Sequence, residues 1–232
     1  MVRWPRLRRE LDANARCARL RAYRFVMVEE WMCVALVLAL WVAKGRAWTA
    51  LWLAPPEGWR LFASLALVLP LGALTAAQFR RNAQSTRSRK RAAIPTARQT
   101  ALRAKIGAVA EMLPHTRAES RAYAALSVTA GLCEEFLFRG YIVWMFAPWL
   151  GLYGAAALSV VLFWLSHLYQ GFKPGTRAGL VGLGLMFQLV ALGTGSLLPG
   201  MALHAIVDLG AGATSYAILR TDEDGDAPTP AH

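Results

Sequence analysis

The chain has 232 residues, 56% of them hydrophobic and only 17% charged. Soluble globular domains carry about 25% charged residues, and the apolar residues of this chain also fall in long runs, which excludes an ordinary water-soluble globule. The net charge of +12 sits in two patches that flank apolar runs, so it reads as juxtamembrane positive charge rather than as a nucleic-acid surface.

Crossing the bilayer core takes about 20 predominantly apolar residues. Stretches at 25–43, 59–78, 122–147, 149–169, 178–196 and 198–219 meet that requirement. Lipid offers no partner to a backbone amide, so each stretch is expected to be a helix. The predicted fold is all-α, a polytopic transmembrane bundle of about six spans plus an interfacial amphipathic helix. Four regions follow: a basic cytoplasmic arm (1–24), two N-terminal spans with a basic loop and the interfacial helix (25–119), a transmembrane core (120–219), and an acidic, disordered tail (220–232).

Residues 1–24 carry eight arginines against Glu10 and Asp12. That is too basic, and too long before the first apolar run, for a cleaved signal peptide, so the first span reads as a retained anchor. Trp48, Trp52 and Trp59 mark the outer headgroup level between spans one and two. Residues 80–105 hold nine Lys or Arg and no acid, which returns the chain to the inner face. Both basic regions are expected to meet anionic lipid there. Residues 97–113 mix apolar and basic positions and read as the interfacial helix, ended by Pro114. Span three runs from near Arg121 to Pro148, with Trp144 and Trp149 at the outer interface. Span four returns to about Gly171, and Lys173 and Arg177 keep the next loop inside. Span five leads to the turn-rich 193–200, and span six ends at the acidic tail. Both termini are therefore expected in the cytoplasm. Cys17, Cys33 and Cys133 show neither metal spacing nor a disulfide framework.

From Ala122 to Leu219 the chain has six charged residues. Lys173 and Arg177 belong to a loop; Glu134, Glu135, Arg139 and Asp208 lie within spans. A charge at the bilayer centre costs at least about 2.5–3.5 kcal/mol and normally faces a protein interior or wet cavity. His167 and His204, the two span histidines, lie in the same half of the chain. Glu135 and Arg139 are four apart and share a helix face, as do His204 and Asp208. Glu134 points elsewhere, without a local cation. Taken singly, a Glu–Arg pair can simply lock helices, and a histidine can be an interhelical hydrogen-bonder. Phe163, one turn before His167, is by default packing.

Together these residues form three motifs: Glu134-Glu135-Phe-Leu-Phe-Arg139 (EExxxR), Phe163-Trp-Leu-Ser-His167 (FxxxH) and His204-Ala-Ile-Val-Asp208 (HxxxD). Their order and helical placement resemble the CPBP family of intramembrane proteases, which includes the type II CAAX prenyl endopeptidases. The resemblance covers about residues 120–216. It implies catalytic roles for Glu134, Glu135, His167 and His204 and a site role for Asp208, with Arg139 and Phe163 in support. Asp208 stands where eukaryotic CAAX endopeptidases tend to have Asn, which is closer to bacterial members and implies a bacterial inner membrane. The implied substrate is a membrane-anchored protein or peptide: a prenylated C-terminus, a leader peptide or a C-terminal sorting tail.

Peptide hydrolysis needs an activated water, an oxyanion stabiliser and a proton for the leaving amine. Glu134, desolvated and unpaired, is the expected general base. His167 would position the water, and His204, oriented by Asp208, would stabilise the oxyanion. No cofactor is required by this route. A zinc route would use His167, His204 and Glu134 or Glu135 as ligands, although the HExxH signature is missing. Two other classes stay open: a non-catalytic membrane binding or immunity protein using the same polar cluster, and a proton-coupled transporter, in which a Glu–His relay would be expected alongside internal repeats.

Overall fold

The computed structural model describes residues 17–87, 112–168 and 174–219. Most of the basic arm, most of the basic loop and of the proposed interfacial helix, and the acidic tail lie outside the described residues. Those described form helices and connecting turns, with no strand among them. Helix α1 spans Ala18–Ala43, a 3₁₀ turn Trp48–Leu51, and α2 Trp59–Arg87; α3 covers Arg117–Glu134, a π-helical segment Glu135–Ile142, and α4 Val143–Ser166; α5 is Pro174–Thr194 and α6 Leu198–Leu219.

Length and apolarity qualify four runs to cross a membrane: Ala18–Ala43, Trp59–Arg81, Arg117–Ser166 and Arg177–Thr194. The difference from six has two physical sources. The third run covers 50 residues with a sharp kink inside it, where two spans parted at Pro148 were expected. Proline is tolerated within it, since transmembrane helices can re-satisfy the freed carbonyl. The chain instead breaks at Gly151, with φ 67° and ψ 169°, a conformation that is essentially glycine-only. The second source is α6, which has the length of a span and carries His204 and Asp208 within it but is not among those four. The protein is an integral membrane protein whose α1 and α2 expose apolar side chains such as Met32, Leu36, Phe62 and Leu69.

The inner face of α1 is a stripe at helical spacing. Tyr23, Val34, Val37 and Trp41 are buried, while Glu29 one position off the stripe is exposed. Val34, Val37 and Trp41 join Leu51, Cys133, Phe136, Ala191, Leu197 and Met201 in the main core. Trp41 meets Trp144 edge-on at 4.5 Å between ring centres, and the Arg46 guanidinium lies 4.3 Å from the centre of the Trp144 ring. Such cation–aromatic contacts contribute up to about 2 kcal/mol when desolvated.

The start of α3 is fixed by a reciprocal cap. Glu119 N donates to Thr116 Oγ1 at 3.2 Å, and Thr116 N donates to Glu119 Oε2 at 3.0 Å, satisfying amides that a helix start leaves free. The same carboxylate pairs with Arg19 of α1 at 3.4 Å, and Tyr23 Oη donates to the Met112 carbonyl at 2.6 Å. The last turns of the basic arm are thus folded helix, docked on the entry to α3.

The most extensive helix contact is between α3 and α6. Gly131 allows it: a Cβ there would lie 2.8 Å from Ala205 N and from Met201 O. No side chain fits, so the two backbones touch, and the next turn of α3 meets α6 at the residues that carry its charges.

Candidate active site

At Glu135 the helix widens into the π-helical segment Glu135–Ile142. Hydrogen bonding from i to i+5 re-aims side chains within an otherwise straight helix, and such segments are frequent at functional sites. Glu135 and Arg139 still meet: Arg139 Nη1 donates to Glu135 Oε1 at 3.1 Å, with both side chains fully buried. Arg139 Nη2 donates to the Gly184 carbonyl of α5 at 3.1 Å. The guanidinium also lies 4.3 Å from the centre of the Phe163 ring and 5.5 Å from that of Phe187. One buried cation therefore ties the π segment to α4 and α5.

Glu135 has a second partner. His204 Nδ1 lies 2.9 Å from the same Oε1, whereas Asp208 Oδ2 is 3.7 Å from His204 Nε2. The imidazole is oriented by Glu135, not by Asp208 as the spacing on α6 suggested. The reason is reach: the i,i+4 carboxylate is beyond hydrogen-bond distance, while α3 approaches α6 closely enough to supply a better acceptor. Phe187 stacks on the His204 ring at 4.5 Å and 15°, fixing its plane. Gly200 makes room for Glu135, since a Cβ there would sit 3.3 Å from Oε2.

His167 caps α4. Its Nδ1 is 2.8 Å from the Phe163 carbonyl and 3.0 Å from Ser166 Oγ. A carbonyl only accepts, so Nδ1 carries the hydrogen and Nε2 presents its lone pair in the neutral ring. That Nε2 is 3.7 Å from Glu134 Oε2, and His204 Nε2 is 3.9 Å from the same oxygen. Glu134, Glu135, His167, His204 and Asp208 are thereby brought together from α3, the π segment, the C-cap of α4 and α6. The tilted Phe163 ring, 4.4 Å from His167, holds the second imidazole as Phe187 holds the first.

Glu134, His167, His204 and Asp208 line a cavity of about 390 Å³. The cavity also includes Tyr23, Glu30 and Tyr123, so α1 closes one wall. Glu134 Oε2 is buried with no hydrogen-bond donor. Glu30 and Phe187 escaped the sequence reading. Glu30 does carry a visible signal, a carboxylate inside the first apolar run; Phe187 carries none beyond ordinary aromatic packing.

Of the two carboxylates named for a zinc route, Glu134 faces both imidazoles and Glu135 is engaged elsewhere. Glu135 Oε1 is already taken by Arg139 and His204 Nδ1. Among the described residues no group of three or more His, Cys, Asp or Glu is disposed to hold a metal ion.

Residues 118–210 match the family model described as "Type II CAAX prenyl endopeptidase Rce1-like". The match begins beside the capped start of α3 and ends just past Asp208, so it takes in all five clustered site residues and leaves out α1 and α2. It spans less than half of the 232 residues. No curated protein and no solved structure matches the chain.

Proposed function

We propose that the protein, whose residues 118–210 match the Rce1-like model of type II CAAX prenyl endopeptidases, is an intramembrane endopeptidase acting on a membrane-associated protein substrate. The observation that carries the chemistry is the Glu134 carboxylate, whose donorless Oε2 faces Nε2 of both imidazoles within 4 Å. In that frame a water donates one hydrogen bond to Glu134 and one to the His167 Nε2 lone pair. Glu134 takes the proton as the water oxygen attacks the scissile carbonyl carbon. His204, with its imidazole charged, donates from Nε2 to the developing oxyanion, while Nδ1 stays bonded to Glu135. Collapse of the tetrahedral intermediate breaks the C–N bond, and Glu134 returns its proton to the leaving nitrogen. Glu135 and Arg139 take no proton; they hold His204 and the helices in register. Asp208, at the cavity wall, supports the charged form of His204 across 3.7 Å.

The break at Gly151 supports a reading with six crossings, α3 with the π segment leading out and the remainder of α4 leading back. From Leu152 to Ser166 that return is only about 22 Å long at roughly 1.5 Å per residue. The hydrocarbon core is about 30 Å thick. His167 therefore ends within the membrane rather than at its inner face, which is how it meets His204 near the start of α6. The cavity reaches Tyr23, Met112 and Ser215, toward the end of α1 next to the basic arm, which the excess of arginine assigns to the cytoplasmic side.

The test is cleavage of a membrane-anchored peptide by purified protein in detergent. Glu134→Gln keeps the shape and removes the base. It is expected to abolish hydrolysis, a fall of at least about 100-fold for loss of general-base catalysis, with the melting temperature unchanged. A Glu134→Gln protein that cleaves normally would show that the cluster is a binding site and not a hydrolytic one.

A further inference from the structure

Helix α1 lies outside the family match, yet its inward stripe, Tyr23, Val26, Glu30, Val34, Val37 and Trp41, follows the three-and-four spacing of a buried helix face. Glu30 is the one charged member of that stripe. It lines the same cavity as Glu134, whose carboxylate is its nearest electrostatic neighbour. Glu30 Oε2 and Glu134 Oε2 are both buried without a donor. A buried acceptor left unmatched is costly, and two carboxylates facing each other in a low-dielectric cavity repel. One hydrogen placed between the two groups removes both penalties, because a protonated carboxyl is a donor.

We infer that Glu30 is a positioning residue, which donates a hydrogen bond from a shared proton to Glu134 and so holds the base aimed between His167 and His204. The inference rests on the reading of Glu134 as the base, and extends the working site to a helix outside the matched domain. It also gives α1 a task beyond anchoring. Without Glu30 the Glu134 Oε2, which has no other hydrogen-bond donor, would be free to turn toward the α1 side of the cavity. Of the neighbouring carboxylates, Glu135 is engaged by Arg139 and His204, and Asp208 faces His204.

Two substitutions separate a donor role from a charge role. Glutamine at 30 keeps an N–H donor toward Glu134, and leucine keeps the volume without one. Glu30→Leu is expected to lower kcat by about 10- to 100-fold, the worth of one hydrogen bond to a charged group, with KM changed less than about two-fold. Glu30→Gln is expected to recover most of that loss. A readout independent of hydrolysis is the infrared C=O band of a protonated carboxyl, present in the unsubstituted protein and lost in both Glu30→Gln and Glu134→Gln. Loss of the band in both variants supports the shared proton even if no peptide is cleaved, in which case the protease reading alone falls. A band that survives both substitutions, or a Glu30→Leu protein as active as the unsubstituted one, overturns the inference.

Discussion

Glu134 and Glu135 are neighbours in sequence with opposite surroundings. The Glu135 side chain is wholly buried and bonded to Arg139 and His204, whereas Glu134 opens into the cavity and contacts no cation of its own helix. Removing the charge of Glu135 strands Arg139, itself fully buried, in a medium that does not tolerate an unpaired cation. Breaking a buried pair in this way costs about 3–5 kcal/mol. Glu135→Gln is therefore expected to lower the melting temperature markedly and to lose activity together with fold, in contrast to Glu134→Gln. Thermal melts of both purified variants check the assignment; a stable, active Glu135→Gln protein would reverse the two roles. At this scale much was legible beforehand. Charges in apolar runs are rare enough that Glu134, Glu135, Arg139 and Asp208 announce themselves, and the i,i+4 rule pairs Glu135 with Arg139. The same rule pairs His204 with Asp208, which lie 3.7 Å apart, but it is blind to Glu135, the closer acceptor arriving from another helix. Glu30 was equally exposed to view, but sequence cannot say which helix a lone carboxylate faces.

Between α3 and α6 the deciding residue has no side chain. Gly131 lets the Ala205 amide and the Met201 carbonyl approach to distances that leave no space for a Cβ. Both obstacles are backbone atoms, so relief requires the helices to part. Gly131→Ala is expected to cost about 1–3 kcal/mol by overpacking, and to cut activity because His204, next to Ala205, moves with α6. Gly193 on α5 is the control: a Cβ there meets nothing within 4 Å, and alanine is the better helix former. Gly193→Ala is expected to leave melting and cleavage unchanged or to raise stability slightly. Equal effects of the two substitutions would mean that the α3–α6 approach does not set the site. The helices themselves were readable from apolar runs. The π-helical segment and the break at Gly151 were not, since periodicity reports an average helix and Pro148 offered a more conspicuous stop. The capping box at Thr116 and Glu119 does have a sequence signature.

For the molecule as a whole, charge and aromatic placement give an orientation that its own cysteines can test. Cys17, at the start of α1, is exposed; Cys33 lies on a face of α1 turned away from the bundle; Cys133 is buried. Cys33 is flanked on that outer face by Met32 and Leu36, both well exposed, as suits a surface covered by lipid. A charged, membrane-impermeant maleimide should therefore reach Cys17 alone. The arm carrying Cys17 is arginine-rich, and cytoplasmic segments next to a span hold the excess of Lys and Arg. Trp48 and Trp59, at the other ends of α1 and α2, are exposed where an aromatic belt belongs. Right-side-out vesicles are thus expected to show no labelling, and inverted vesicles to show labelling that a Cys17→Ser substitution removes. Labelling of Cys17 in right-side-out vesicles would turn the whole bundle over. It would also turn the end of the cavity lined by Tyr23 and Met112 toward the external face. The substrate would then have to be presented from outside the cell rather than from the cytoplasm.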